Sequence, residues 1–344
     1  MIQTICAKAP LRLGFGGGGT DVSPYCDQFG GVVLNATIGL FARVTLEPRT
    51  DGQLVLASAD QQKPHWQGVA KPHRDVPEHV RLHKGVWDHF AARTGQRPGV
   101  TLTTSADSPP GSGLGTSSAL VVALVEAMRR FNETILSPQE IAELAYRIER
   151  QDLDLAGGHQ DQYTAAFGGF NMMVFGAEDQ VKVSPLTISE ATQAQLESSI
   201  VLYFTGVSRH SATIIDEQTA NMKDAQPRSL AGLDALKAGA LDMQAALADG
   251  DLLRFGAILD AGWQSKKLTA SQITSPEIDQ VYDAAKAYGA FGGKVTGAGG
   301  GGFMMFLIDP ARRDGLMAHL SAFGGTCQPA RFYPHGVTSW VEAR

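Results

Sequence analysis

Three glycine-rich segments, Ala9 to Asp21, Pro109 to Ala119 and Gly292 to Phe303, constrain this 344-residue chain more than any other feature. Glycine reaches backbone angles closed to other residues and lets backbone or ligand approach closely. The middle segment, PPGSGLGTSSAL, runs straight into the apolar, helix-favouring stretch VVALVEAMRRF. Amides of a first helical turn point outward, the helix dipole adds partial positive charge, and small residues admit a polyphosphate, so this junction reads as an anion trap. Thr116, Ser117 and Ser118 add hydroxyls suited to capping the helix, touching phosphate or holding Mg2+. The plainer reading is a capped helix after a Pro-Gly turn.

Three familiar nucleotide-binding signatures are excluded. Gly14 to Gly19 and Gly297 to Gly302 both fit G-x-G-x-x-G, but Thr20 to Pro24 reads as a turn and FMMFLI as a strand, whereas a dinucleotide fold needs strand, turn and then helix. Gly293-Lys294 is followed by Val295, without the upstream glycine of a Walker A loop, and no HRD or DFG triplet occurs.

In this order the segments resemble the three motifs of the GHMP kinase superfamily. APLRLGFGGGGTD is similar to the first motif in its sugar-kinase form, PPGSGLGTSSA to the ATP-binding second and GGKVTGAGGGGF to the third. GLGTSS, GGGGTD, GGHQDQYTAAFGG and FTGVSRHSATII resemble the branch holding bacterial heptose 7-phosphate kinases and fucokinase domains. The resemblance implies an α+β, two-domain architecture, with an N-terminal α/β domain and a C-terminal ferredoxin-like domain. It also implies ATP and Mg2+ as cofactors, and Pro110, Gly111, Ser112, Gly113, Leu114, Gly115, Thr116, Ser117 and Ser118 as the nucleotide cradle. The segment carries one residue more after Gly115 than the GLGSSA form, so both Ser117 and Ser118 stand as Mg2+ candidates.

Phosphoryl transfer requires alignment of two oxygens and neutralisation of spreading charge. SPQEIAELAYRIERQDL predicts a helix opened by Ser137-Pro138 with Glu140 in a capping position, and places Glu149 about 80° from the centre of the apolar stripe, at its border. Alone, Glu149 reads as a solvated acid; its position twelve residues before Asp161 matches the galactokinase spacing and implies a metal ligand. Asp161 resembles the family's catalytic aspartate and otherwise reads as a helix cap. Arg12 matches the arginine of the AP-x-R opening, able to hold Asp161 ionised or stabilise the transferring group. Asp21, with Gly18, Gly19 and Thr20, resembles the sugar-binding end of motif one, and Gly299 and Gly300 are assigned to the substrate cleft from motif three. Asp21 also reads as a turn aspartate following glycines.

The remaining features set bounds. Net charge of −6 argues against general nucleic-acid binding or attraction to an anionic membrane, and leaves anionic substrates to local cations. Lys8, Arg43, Arg209, His210, Lys266 and Lys267 are the candidates, with SRHS foremost. Three scattered cysteines, no signal peptide and no long apolar run read as a cytoplasmic protein with reduced thiols. Among the histidines, His65, His73, His79, His83 and His89 lack zincin spacing with glutamate. A division near Ser184-Pro185 is expected, giving domains 1–185 and 186–344, with helices over Ala231 to Ala248, Asp251 to Leu268 and Pro276 to Tyr288. The expected partner is a sugar or sugar phosphate, foremost D-glycero-D-manno-heptose 7-phosphate phosphorylated at its anomeric hydroxyl, and a homo-oligomer is compatible. A free-sugar kinase and a non-catalytic nucleotide and sugar sensor are the rival readings.

Overall fold

The computed structural model describes residues 3–60, 63–68, 76–207 and 211–342. Ser208, Arg209 and His210 of the SRHS segment, and His73, lie outside the described residues. Strands β1 (Thr4–Gly16), β2 (Gly31–Pro48), β3 (Leu54–Ser58), β4 (Trp66–Gly68), β5 (Val100–Ala106), β6 (Phe170–Phe175), β7 (Val181–Pro185), β8 (Ile200–Phe204), β9 (Gly292–Val295), β10 (Phe303–Leu307), β11 (Thr326–Pro329) and β12 (Thr338–Glu342) form two sheets. The first runs β12-β1-β2-β5-β3-β4, with β6 also on β2 and β7 on β6; the second is the antiparallel β11-β8-β10-β9. Both carry helices, which gives the expected α+β architecture.

The edge of β1 explains how motif one is placed. β12 pairs with β1 only from Thr4 to Lys8, so the C-terminal tail crosses the division expected near residue 185 and covers half of an otherwise open edge. Beyond it, Pro10 has no N–H to give, and the β1–β2 register shifts between Pro10 and Leu11. The Arg12 N–H then donates to the Leu114 carbonyl at 3.0 Å, so the loop of motif two takes over where β12 stops. The helix Thr116–Phe131 continues from that loop and packs on β1 and β2. Val121, Val122, Leu124 and Val125 are fully buried, as befits a helix apolar on nearly every face.

The helix opened by Ser137 is capped as its sequence predicts, with a reciprocal Ser137–Glu140 capping box. It does not continue as a regular α-helix: Pro138–Tyr146 gives way to a π-helical turn over Arg147–Asp152. Helices Pro227–Asp249, Leu252–Lys266 and Pro276–Tyr288 lie where the periodic stretches put them. One apolar core runs from the first sheet into the first two of these helices, with Phe15 edge-on to Phe255 at 5.4 Å; a second core around Trp263, Tyr282 and Phe306 underlies the second sheet.

Motif three is fitted against motif two backbone to backbone and reaches motif one through a lysine side chain. The Phe303 N–H donates to the Ser112 carbonyl at 2.9 Å. A Cβ at Gly302, whose φ is +81°, would sit 2.4 Å from that carbonyl oxygen, and one at Gly113 would sit 2.4 Å from the Thr296 carbonyl oxygen. Lys294 of β9 donates to the Gly14 carbonyl at 3.0 Å, linking the second sheet to β1.

Two outcomes follow from this seam. Gly302→Ala has to displace backbone and adopt a strained φ, and should cost about 1–3 kcal/mol in chemical denaturation. An unchanged midpoint would mean the seam yields. Burial, with Lys266 and Arg12 nearby, pushes the Lys294 ammonium from 10.5 down to about 7. Between those values the unfolded chain binds more protons than the native one, so Lys294 makes stability rise with pH across that window. Thermal midpoints from pH 7 to 9.5 should rise less steeply in Lys294→Met than in the wild type.

Candidate active site

The three segments close on a cavity of about 420 Å³. Its walls include Arg12, Gly19 and Asp21 from motif one, Pro110–Gly113 and Gly115–Ser118 from motif two, Gly297 and Ala298 from motif three, and Glu149 and Asp161. Ala212, Ile215 and Gln218 on the helix Ser211–Lys223, and Lys266 at the end of Leu252–Lys266, form the opposing wall.

Motif two keeps its amides open. The cap of the helix Thr116–Phe131 is Gly115, left-handed at φ 76°, with no side-chain hydrogen bond onto the first turn. The hydroxyls expected there as caps bond elsewhere. Thr116 pairs with Ser112 at 3.2 Å, Ser117 donates to Glu149 Oε1 at 2.7 Å, and Ser118 accepts from Arg150 at 3.2 Å and Gln162 at 3.1 Å. The first-turn N–H groups are therefore available to an anion. Leu114 is fully buried and contributes its carbonyl, through the bond to Arg12, rather than its side chain.

Ser117 and Ser118 are separated by these bonds. Ser117 is exposed and meets Glu149, whereas Ser118 is buried among donors. Glu149 corrects its expected placement at the border of an apolar stripe: its side chain is buried, with Oε2 accepting from Gln162 at 2.7 Å and Arg150 3.4 Å from Oε1. The wider π-turn invalidates the 100° count and swings the carboxylate inward. One carboxylate beside a hydroxyl suits Mg2+, which retains waters and shares substrate phosphates instead of requiring a full protein cage. No group of three or more His, Cys, Asp or Glu able to hold a metal occurs among the described residues.

Asp161 lies in the first turn of the helix Gln160–Phe167. It does not cap that helix. Arg12 grips it with two prongs, Nε to Oδ1 at 2.7 Å and Nη2 to Oδ2 at 3.1 Å, while Nη1 donates to the Gly113 carbonyl. Gly115 leaves room for the pair, since a Cβ there would stand 3.3 Å from the Asp161 carboxyl carbon. A single guanidinium thus joins β1, the phosphate loop and the acid.

At the other end, Asp21 is buried and its oxygens accept from Gly19 N–H at 3.1 Å, Gln160 N–H at 3.1 Å and Gln160 Nε2 at 3.2 Å. It therefore fixes the glycine loop while its residue borders the cavity. Thr20 is fully buried, its hydroxyl spent on the Gly17 and Val32 carbonyls, and Gly18 turns its carbonyl to Lys266 at 3.1 Å. Gly299 and Gly300 do not border the cavity: the Gly300 N–H donates to the Ile273 carbonyl, and a Cβ at Gly299 would meet the same oxygen at 2.9 Å. Motif three reaches the cleft two residues earlier, through Gly297 and Ala298.

Of the cations named from sequence, Lys266 is the described one that lines the cavity. Burial pushes its ammonium down to about 8, partly opposed by Asp21. Lys8 lies over the rings of Phe41 and Tyr333, Arg43 pairs with Asp107, and Lys267 is 3.8 Å from Asp279. Arg150, Gln160, Gln162, Gln218 and Lys294 were missed by sequence reasoning; Gln160, Gln162 and Lys294 lie inside the quoted motifs GGHQDQYTAAFGG and GGKVTGAGGGGF, whereas nothing local to Arg150 or Gln218 announces a site. His79 and His83 donate Nε2–H to the Pro64 and Ala57 carbonyls, and burial pushes His83 down to about 4.

Comparison with known proteins agrees with this geometry. Residues 81–169 match the GHMP kinases N terminal domain and residues 243–325 the GHMP kinases C terminal family. The chain is 38% identical over 340 residues to the D-glycero-alpha-D-manno-heptose 7-phosphate kinase of Campylobacter jejuni, covering 98% of this chain and 99% of that one. It is 29% identical over 334 residues to the L-fucokinase/L-fucose-1-P guanylyltransferase of Bacteroides fragilis, covering 90% of this chain and 35% of that protein. A crystal structure described as a D-glycero-D-manno-heptose 1-phosphate kinase from Bacteroides thetaiotaomicron superposes with a TM-score of 0.82 at 37% identity, covering 99% of this chain and 100% of that one. Lactococcus lactis galactokinase shares the fold at a TM-score of 0.78 and 18% identity, covering 97% and 95% of the two chains. No helix among the described residues is long and apolar enough to cross a membrane. The chain belongs to the GHMP kinase family, as an ATP-dependent phosphotransferase acting on a sugar or sugar phosphate.

Proposed function

We propose that the enzyme transfers the γ-phosphoryl group of ATP to the anomeric hydroxyl of D-glycero-D-manno-heptose 7-phosphate, forming the 1,7-bisphosphate and ADP. The observation that carries the reading is the two-pronged Arg12–Asp161 pair, set against Gly115 at the mouth of an uncapped helix N-terminus. Similarity over nearly the whole chain to a heptose 7-phosphate kinase supports the choice of acceptor.

Each residue then has a task. The first-turn amides of Thr116–Phe131 hold the nucleotide phosphates, and the glycines before them exclude side chains that would keep those phosphates at a distance. Asp161 orients the acceptor hydroxyl toward the γ-phosphorus and takes its proton as the new P–O bond forms and the bond to the ADP oxygen breaks. Arg12 fixes the Asp161 carboxylate and, from the same position, offsets charge spreading over the transferring group. Ser117 and Glu149 would hold Mg2+, whose contribution is to neutralise phosphate charge. Asp21 and Gln160 shape the far side, where sugar hydroxyls are read.

The test is turnover with ATP and Mg2+ on heptose 7-phosphate, heptose 1-phosphate, mannose 6-phosphate, fucose and galactose, with product phosphorus resonances recorded. A new anomeric phosphate selectively on heptose 7-phosphate is expected. Selective turnover of heptose 1-phosphate would move the acceptor hydroxyl to the other end of the sugar, and turnover only on fucose or galactose would replace the reading by a free-sugar kinase. On the preferred acceptor, Asp161→Asn should lower kcat by roughly 10²- to 10⁴-fold with ATP binding kept. Glu149→Gln should raise the Mg2+ concentration needed for half-maximal rate, and an unshifted Mg2+ dependence would reject that ligand.

A further inference from the structure

Lys266 is a buried cation without an ion pair. Its residue is 5% exposed, its Nζ donates to the Gly18 carbonyl at 3.1 Å, and none of the ion pairs among the described residues includes it. An ammonium has three N–H groups, so two remain for the cavity it borders. The charges acting on it are Arg12 and Lys294, both cations, and Asp21, whose oxygens already accept three hydrogen bonds. A desolvated charge in such a position is costly until an anion arrives.

The surrounding structure holds the ammonium in place. Thr269 donates its hydroxyl to the Lys266 carbonyl at 2.8 Å, and Gln218 on the facing helix donates to Thr269 Oγ1 at 2.6 Å. Gly19, at φ +103°, makes the room, since a Cβ there would lie 2.9 Å from Nζ. Its contacts are with the glycine loop assigned to the sugar, Gly18 and Gly19, and its hydrogen bond among the described residues does not reach the nucleotide loop Pro110–Ser118. An anion reaching Lys266 therefore belongs to the acceptor.

We propose that Lys266 is the specificity-determining residue that binds the phosphate already carried by the sugar acceptor, an inference that rests on the sugar-phosphate reading above. The enzyme distinguishes a sugar phosphate from the same free sugar through one internal ammonium, poised between Gly18 and Gln218.

The experiment compares kcat/KM for D-glycero-D-manno-heptose 7-phosphate and for free D-glycero-D-manno-heptose in the wild type, Lys266→Met and Lys266→Arg. The wild type should prefer the phosphorylated sugar, and the methionine variant should lose about 10- to 100-fold of that preference, the range of one charge-assisted hydrogen bond. The arginine variant should retain most of it. Should the methionine variant not fold, Lys266→Gln, which keeps a donor for Gly18 and drops the charge, reads the same ratio. A wild type that prefers the free sugar overturns the sugar-phosphate reading and the inference with it. A wild type that prefers the phosphate, with the preference unchanged in the neutral variants or both acceptors weakened equally, overturns the role of Lys266 alone.

Discussion

Arg12 is the joint on which the site depends. Its backbone N–H completes the edge of β1 with the phosphate loop, its Nη1 holds the Gly113 carbonyl, and its remaining nitrogens fix Asp161. Three segments far apart in sequence are therefore registered by one side chain that is 5% exposed. A lysine has neither the planar fork nor enough directed donors to reproduce that arrangement.

The glycines around this joint have distinct duties. Gly113 and Gly302 let motifs two and three touch backbone to backbone, Gly115 makes space for the acid, and Gly19 makes space for an ammonium. What reads in the sequence as a single compositional bias is thus a set of separate close approaches. The cost of this construction is a seam with little tolerance for side chains, and it is offset by a continuous apolar core in which Phe15 and Phe255 meet across the two halves.

Features written in local sequence were legible before the structure. The helix after PPGSGLGTSS, the Ser137–Glu140 capping box and the long C-terminal helices each follow from residues a few positions apart. The burial of Glu149 was not, because the stripe calculation assumes a regular helix and the chain widens into a π-turn at that point. Gly299 and Gly300 carry the same composition as Gly297 yet face Ile273, a distinction that depends on the tertiary path of the loop. Lys266 was one of six cations named from sequence, behind the SRHS segment; only the packing of its helix against Gly18 and Gln218 separates it from Lys267 beside it, which turns to Trp263 and Asp279.

The pairing of β12 with β1 also sets an order of assembly. Thr4 to Lys8 are synthesised well over 300 residues before their strand partner, Thr338 to Glu342. At ordinary elongation speeds the interval is roughly 20–60 s. Throughout that time the Thr4–Lys8 part of β1 lacks the strand that covers its edge. Shielding by a chaperone would therefore matter most for this stretch of β1.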